Sequence, residues 1–556
     1  MRELLLVCTF AIGLHAADPR AVSMHPFTGQ RGLAFQATVR GSNLKETKGA
    51  FVEQPGLRLV VESAGSDAPT TPKSRNSPDF VKLRIETAAD FQPGRYTFRL
   101  ITPSGVSNSL PLQITDSVVL AEPAGSHETP ETAVMVPGAP ALYAGLIGNR
   151  GESDYYSFEA KAGETMTFQV LSGLPSIGAA GGNANGFDPS ISIFEVAGSW
   201  FDAKRLNRLA FNDEPLWVLG RLTDAYIQQK FEKTGRYLLR LDAFSGQGGP
   251  DYSYQLRFLP GAVPQEQPPG KSDWDERTYS RPLSSNRLNE LAARGGRPLT
   301  QKVVETYRTM GKFALPATLE GAIAQPGQSY RAQFQIDGPT DIAIEVETPD
   351  VGPPLFNPVV RVLDAKGEEV VTNFFAGRGA CTGALNKGLT AKTIYPLRNP
   401  GEYTVEVRDV TADQGDAGFR YRVQVRPQVP HLGKILIEED HINLAPGGAK
   451  TVRVTFDREE DYRGAVAVSV DGLPDGVSVL AAADYEPDKD PPPFPGKRER
   501  YTPRTERTVL AFSVADGASL MDIPKVASVT VRPVLEGKPG AVIASKNIPI
   551  MVVAKP

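Results

Sequence analysis

A tandem array of β-sandwiches is the fold this sequence predicts, and three features predict it. Short segments alternate apolar and polar residues with period two, Gly and Pro are abundant, and one strand-turn-strand pattern occurs twice. The chain has 556 residues, too many for one hydrophobic core at ~100–200 residues per domain. Its 53 Gly and 47 Pro suit turns, because Gly supplies positive φ and Pro fixes φ. Apolar residues make up 40% and charged residues 22%, the balance of a globular chain. The expected class is all-β, with immunoglobulin-like and jelly-roll-like sandwiches in series.

Residues 1–17 read as an export signal. Arg2 gives a positive start, residues 4–14 form an apolar run, and Ala16-Ala17 offer a small-residue cleavage site before Asp18. The run is too short to span a membrane. Export to the periplasm, the cell surface or the medium is therefore expected. The formal net charge of −4 comes from 60 basic and 64 acidic residues, so no basic excess marks a nucleic-acid partner or an anionic membrane surface. Cys8 lies in the leader and Cys381 stands alone, which excludes an internal disulfide and a Cys-rich zinc site.

The first domain is expected over residues 18–116. Residues 34–39, 57–62 and 80–86 read as strands, and Gly94–Thr102 sets Tyr96, Phe98 and Leu100 against Arg and Thr. That alternation puts one face on a core and one in water. A polar joint follows over 117–138. The second domain is expected over 139–259, with strands at 154–160, 165–171, 190–196, 226–231, 235–242 and 252–258. Residues 260–312 read as a linker with two short amphipathic segments, 287–293 and 300–309, expected to be helical.

The repeat defines the third domain, 313–427. FDPSISIFEVAGS (187–199) is echoed by FNPVVRVLDAKGE (356–368). GRYLLRLDAFSGQGGPDYSYQLRF (235–258) is echoed by GEYTVEVRDVTADQGDAGFRYRVQV (401–425). Each copy closes as strand, Gly-rich turn, strand, the grammar of a hairpin. The last domain spans 428–556, with alternation at 450–456 and 465–470, a long charged Pro-rich loop at 484–508, and strands at 508–514, 527–533 and 547–553.

Two resemblances follow from these segments. The opening PFTGQRGLAFQATVRG (26–41) and the closing PGRYTFRLITPSGVSNSLPLQI resemble an IPT/TIG immunoglobulin-like domain. The repeated blocks resemble the bacterial pre-peptidase C-terminal (PPC) domain, a small secreted β-sandwich. The first copy carries ESDYYSFEAKAGETMTFQV (152–170), FDPSISIFE and FNDEP. The second has Ser329-Tyr330-Arg331-Ala332-Gln333-Phe334 in place of the D-Y-Y-x-F strand and lacks the acidic residue before it. The resemblance implies modular attachment to surface or secreted proteins, and the family's protease partner domain is missing from this chain.

It also implies a calcium site in the first copy. In some members acidic linker residues join acidic residues before the D-Y-Y-x-F strand around the ion. The matching positions are Glu122 and Glu128 in the joint and Glu152 and Asp154 at the strand start. His127-Glu128-Thr129 stands where the family often has Asn-Asp-Thr, which reduces the oxygen donors available to a hard cation. The other reading makes Glu152 and Asp154 solvated turn residues.

Motifs for catalysis are missing. The histidines after the leader, His25, His127, His431 and His441, are isolated in sequence, and there is no HExxH, no G-x-S-x-G and no phosphate-binding loop. The Gly-rich run 178–186 reads as a loop between strands. Trp200, Phe201 and Trp217, with Tyr252 and Tyr254, form either an exposed stacking row for sugars or peptides or packing beneath an insert. The expected function is non-catalytic binding, adhesion or scaffolding, with an extracellular or cell-surface protein or polysaccharide as partner. An accessory subunit of a secreted enzyme or transport complex is one alternative. A hydrolase using a carboxylate pair ~5–10 Å apart is the other.

Overall fold

The computed structural model describes residues 18–67, 79–123, 125–172, 187–196, 206–213, 225–243, 246–263, 280–282, 306–348, 356–378, 385–410, 415–480, 501 and 503–555. The leader, the run 178–186, the expected helix at 287–293, both cysteines, Trp200, Phe201 and Trp217 lie outside the described residues. Among them the regular secondary structure is β-strand apart from the short 3₁₀ turn Pro130–Thr132. No described helix is long and apolar enough to cross a membrane.

Period-two burial builds each sandwich. In Asp79–Thr87, Val81, Leu83 and Ile85 are buried while Lys82 and Arg84 face water. Each fully buried aliphatic side chain of this kind contributes about 1.5–3 kcal/mol. The first sandwich packs the sheet ordered Arg20–His25, Phe35–Ser42, Asp79–Thr87, Leu57–Ser66 on a second ordered Thr28–Gln30, Leu110–Thr115, Gly94–Thr102, Gly49–Phe51. The last packs His431–Ile437, Ala449–Glu459, Arg504–Val514, Val477–Leu480 on Ile442–Leu444, Ala544–Val552, Lys525–Leu535, Val466–Asp471. Arg504–Val514 begins inside the stretch read from sequence as a loop to 508.

The two repeat copies share a topology. One sheet of the second domain runs Val134–Met135, Ser153–Ala160, Gly235–Ala243, Pro189–Val196, Leu206–Asn212. Its counterpart in the third runs Thr306–Phe313, Gln328–Ile336, Gly401–Asp409, Pro358–Leu363, Glu369–Thr372. The opposing sheets run Val119–Ala121, Ala141–Leu146, Ser253–Pro260, Thr165–Ser172, Tyr226–Lys230 and Ala317–Ala322, Arg420–Pro427, Thr340–Glu347, Lys392–Leu397. The added edge Val119–Ala121 pairs in parallel with Ala141–Leu146.

Two segments differ from the sequence reading for the same reason. Residues 306–309, expected in a helix, belong to the strand Thr306–Phe313, which pairs in parallel with Gln328–Ile336. The joint 117–138 contributes Val119–Ala121 and Val134–Met135 as sheet edges. Parallel edge pairing satisfies backbone groups that a free tether would leave to water. Ser280–Pro282, in the expected linker, pairs antiparallel with Leu385–Thr390.

Among the described residues the sandwiches meet at three joints. Between the first and second, His25 Nδ1 lies 2.9 Å from Ser253 Oγ, and Leu171 of the second packs into the first core. Between the first and last, Asn443 pairs with Val106 like a short strand, accepting from its N–H at 2.9 Å and donating to its carbonyl at 2.9 Å. Ile101, Val106, Met551 and Val553 form an apolar cluster there. Asp440 accepts from Arg99 Nη1 at 3.0 Å and from the Ser109 N–H at 3.1 Å.

Between the third and last, the Glu460 carboxylate has 0% exposure. It accepts from Arg426 Nη1 at 2.8 Å and the Val429 N–H at 2.6 Å, with Lys392 Nζ at 2.6 Å. Burial alone would raise its pKa, but Arg426 and Lys392 pull it from 4.5 to about 2. A depressed carboxyl contributes stability above its unfolded pKa and loses it as pH falls through the folded one. This joint should therefore loosen between about pH 4.5 and pH 2, seen as faster hydrogen exchange at Val429 and Glu460. Glu460→Gln should cost about 3 kcal/mol, the lower end for breaking a buried pair from one side, and should flatten that pH dependence.

Candidate functional site

The site lies where the joint before the second sandwich meets the start of its D-Y-Y-x-F strand. Alternation along Ser153–Ala160 turns Asp154, Tyr156 and Phe158 to the same inward face. An aspartate at an inward position needs partners, because burying a lone carboxyl is costly. Asp154 has 0% exposure, and its Oδ2 accepts from the Tyr254 hydroxyl at 2.6 Å. The Tyr254 and Tyr156 hydroxyls lie 2.8 Å apart. Gly145, opposite Tyr254 in register, leaves room for the phenol, since a Cβ there would fall on its ring.

The parallel edge Val119–Ala121 delivers the remaining groups. The Glu122 N–H donates to the Ala144 carbonyl at 3.0 Å, and Glu122 Oε2 accepts from the Leu146 N–H at 2.8 Å. These bonds aim Oε1 at the strand start. The His127 carbonyl accepts from the Tyr155 N–H at 2.9 Å, and its ring meets Tyr156 edge-on with centroids 5.8 Å apart. His127 Nε2 then stands 2.7 Å from Glu122 Oε1 and 3.5 Å from Asp154 Oδ1.

One donor atom from each of Glu122, His127 and Asp154 lies within 4.8 Å of the others. The Glu122 to His127 approach has ion-pair distance, but it is off the line of a directed N–H···O bond, so Nε2 has no hydrogen-bond partner of good geometry. Asp154 Oδ1 has none either. Burial favours the neutral Asp154 carboxyl, and the Glu122 charge pushes its pKa up further. For His127 burial works against the charged ring, but Glu122 and Asp154 outweigh it and raise the pKa. Burial holds both phenols well above their ordinary range, so they remain hydroxyls.

The four expected oxygen donors divide. Glu122 and Asp154 converge. The Glu152 carboxylate accepts from the Asn149 backbone at 2.6 Å and side-chain amide at 2.8 Å, although its charge still reaches Asp154. Glu128 is exposed. Asp154 is not a solvated turn residue. Sequence reasoning missed His127 as a contributor, and no local pattern announces it, because the edge pairing of 119–121 with 141–146 brings it in. Tyr252 and Tyr254 are both buried and form no exposed row. Elsewhere, His441 Nδ1 contacts Asp440 at 2.5 Å, and His431 Nδ1 lies 3.9 Å from Glu460. Neither belongs to a convergent trio among the described residues.

Among the described residues the third sandwich holds no counterpart of the trio. Leu241 and Val407 hold the same place in their strands, counted from Gly235 and Gly401, and they pair with Asp154 and Tyr330 respectively. Tyr421 faces Gly321 as Tyr254 faces Gly145. Its ring lies 5.9 Å from that of Tyr330, and its hydroxyl meets Met310 Sδ at 3.8 Å. An aromatic and a thioether thus replace the ionisable cluster on the same fold.

No protein-family model matches the chain, and no curated protein matches it. Solved structures similar to parts of it include the pre-peptidase C-terminal domain of a Bacillus anthracis collagenase, at 12% identity over 23% of this chain and 100% of that one, with a TM-score of 0.15. A second is SGBP-B of a Bacteroides ovatus mixed-linkage glucan utilization locus, solved in complex with a mixed-linkage heptasaccharide. It is 10% identical over 73% of this chain and 74% of that one, with a TM-score of 0.15. A third is the surface layer protein SbsC, domains 1–6, at 9% identity over 97% of this chain and 55% of that one, with a TM-score of 0.14.

Tyr254→Phe removes the hydroxyl that satisfies Asp154 and Tyr156. It should weaken the second sandwich by about 1–3 kcal/mol, the cost of stranding buried polar groups. Tyr421→Phe loses only a weak contact to sulfur and should cost under about 1 kcal/mol. A multidomain chain does not unfold in one step, so the measurement is hydrogen exchange at strands Ser153–Ala160 and Gln328–Ile336, with the larger loss of protection expected in the first.

Proposed function

We propose that this is an exported, non-catalytic binding and scaffolding protein that presents β-sandwich faces to a polysaccharide or protein partner outside the cytoplasm. The observation that carries this reading is the double docking of the first sandwich. It joins the second through His25, Ser253 and Leu171 and the last through Asn443, Val106 and the Ile101 cluster. Such joints hold sandwiches in a fixed array, which lowers the ordering cost of engaging an extended partner at several points. The leader pattern in residues 1–17 and the PPC-like motifs of the second sandwich support export and modular attachment.

The test is retention of the mature full-length chain on surface polysaccharides and extracellular proteins, with turnover of the same panel followed in parallel. Saturable binding without turnover is expected. Gly105 has φ +131°, and a Cβ there would collide with the Asn443 amide. Gly105→Ala should therefore strain this turn of the first sandwich, open its joint with the last and weaken multipoint binding, with circular dichroism checking that the chain still folds. Catalysed hydrolysis of any member of the panel, or binding indifferent to Gly105→Ala, contradicts the proposal.

A further inference from the structure

We propose that Glu122, His127 and Asp154 form a site for a late first-row divalent cation, with zinc as the type ion, in place of the oxygen-only calcium site the resemblance implies. The inference goes beyond the binding role and holds whatever partner the sandwiches engage.

The donor set is the first argument. Calcium takes about six to eight oxygens. Here Glu128 is exposed and the Glu152 carboxylate is engaged by Asn149, while an imidazole nitrogen sits between the two carboxylates that do converge. One nitrogen and two carboxylate oxygens suit zinc and its neighbours, for which imidazole is a favoured ligand. Donors ~2.0–2.2 Å from a shared tetrahedral ion stand roughly 3.3 Å apart. The 2.7 and 3.5 Å separations about His127 Nε2 bracket that spacing.

The state of the donor atoms is the second. His127 has 6% exposure and Asp154 has 0%, yet Asp154 Oδ1 lacks a hydrogen-bond partner, and His127 Nε2 has the Glu122 carboxylate at 2.7 Å and Oδ1 at 3.5 Å. Unsatisfied polar atoms at such depth are rare and costly. His127 Nδ1 lies 3.3 Å from the Gly125 carbonyl. An N–H donated there orients the ring so that Nε2, once a cation displaces its proton, is the ligating atom, the arrangement usual for a ligating histidine. Tyr254 holds Asp154 through Oδ2 and so leaves Oδ1 available.

The third is internal to the chain. The third sandwich builds the same sheets with Tyr330 and Met310 where the trio would be. The fold therefore does not require an ionisable cluster at this place, so the one in the second sandwich is open to a role other than holding the sandwich together.

The experiment uses the full mature chain stripped with chelator and titrated separately with zinc and with calcium by calorimetry. Cobalt(II) absorption serves as a coordination signature. One zinc per chain is expected, at least tenfold weaker in both His127→Gln and Asp154→Asn, with calcium neither binding nor displacing it at millimolar concentration. Visible cobalt bands should disappear in the same variants. Far-UV circular dichroism checks folding. If His127→Gln does not fold, Asp154→Asn, which keeps the side-chain shape, carries the comparison. Absence of saturable zinc uptake, uptake that persists in a folded variant, or calcium binding tighter than zinc overturns the proposal.

Discussion

A residue on the inward side of a β-strand must be satisfied inside the sandwich, and the rest of this structure depends on that constraint. Where the inward row is Val81, Leu83 and Ile85, apolar packing satisfies it. Where the row begins with Asp154, it cannot. The carboxyl recruits Tyr254 from the facing sheet, and Tyr254 in turn engages Tyr156. The joint before the sandwich then folds back as a parallel edge, placing Glu122 and His127 over the remaining oxygen. A single inward aspartate thus organises a polar cluster at the rim of an otherwise apolar core. The twin sandwich shows the alternative solution, with Tyr330 in the same register, the Tyr421 ring beside it and the Met310 thioether on the Tyr421 hydroxyl.

The same rule separates core from joint at the domain level. Apolar clusters close each sandwich, whereas charged and amide groups make most of the contacts between them. Glu460, Arg426 and Lys392 seal one joint, and Asp440 with Arg99 and Ser109 helps to seal another. Buried ion pairs of this kind add modest net stability but resist misregistration, since removing one partner strands a charge. They suit surfaces that must meet in one arrangement without forming a continuous core. The first sandwich, docked on two others, fixes the spacing of the faces that remain free.

Much of the fold was legible in the sequence. Period-two alternation located many core strands to within a few residues but not Arg20–His25, Ala141–Leu146 or Thr340–Glu347, and the echo of 187–199 in 356–368 announced two sandwiches of one topology. Half of the site was legible as well, because Glu122 and Asp154 stood at positions where a motif called for acidic groups. Its centre was not. His127 reads locally as a lone histidine in a polar tether, and it reaches the cluster through the pairing of 119–121 with 141–146 and the Tyr155 N–H on its carbonyl. The burial of Asp154 could have been inferred, since Asp154, Tyr156 and Phe158 alternate on one face. The strand at Thr306–Phe313 failed for the same physical reason as His127. Parallel partners come from distant sequence, and amphipathic spacing at an edge does not distinguish a short helix from a strand.

The most direct measurement is the anomalous scattering of crystals of the full chain grown with zinc, recorded on both sides of the zinc absorption edge. The expected result is a peak between Glu122 Oε1, His127 Nε2 and Asp154 Oδ1, with no counterpart near Tyr330 in the third sandwich. Density showing those three groups closed on one another as a metal-free ion pair, with zinc elsewhere or absent, would contradict it.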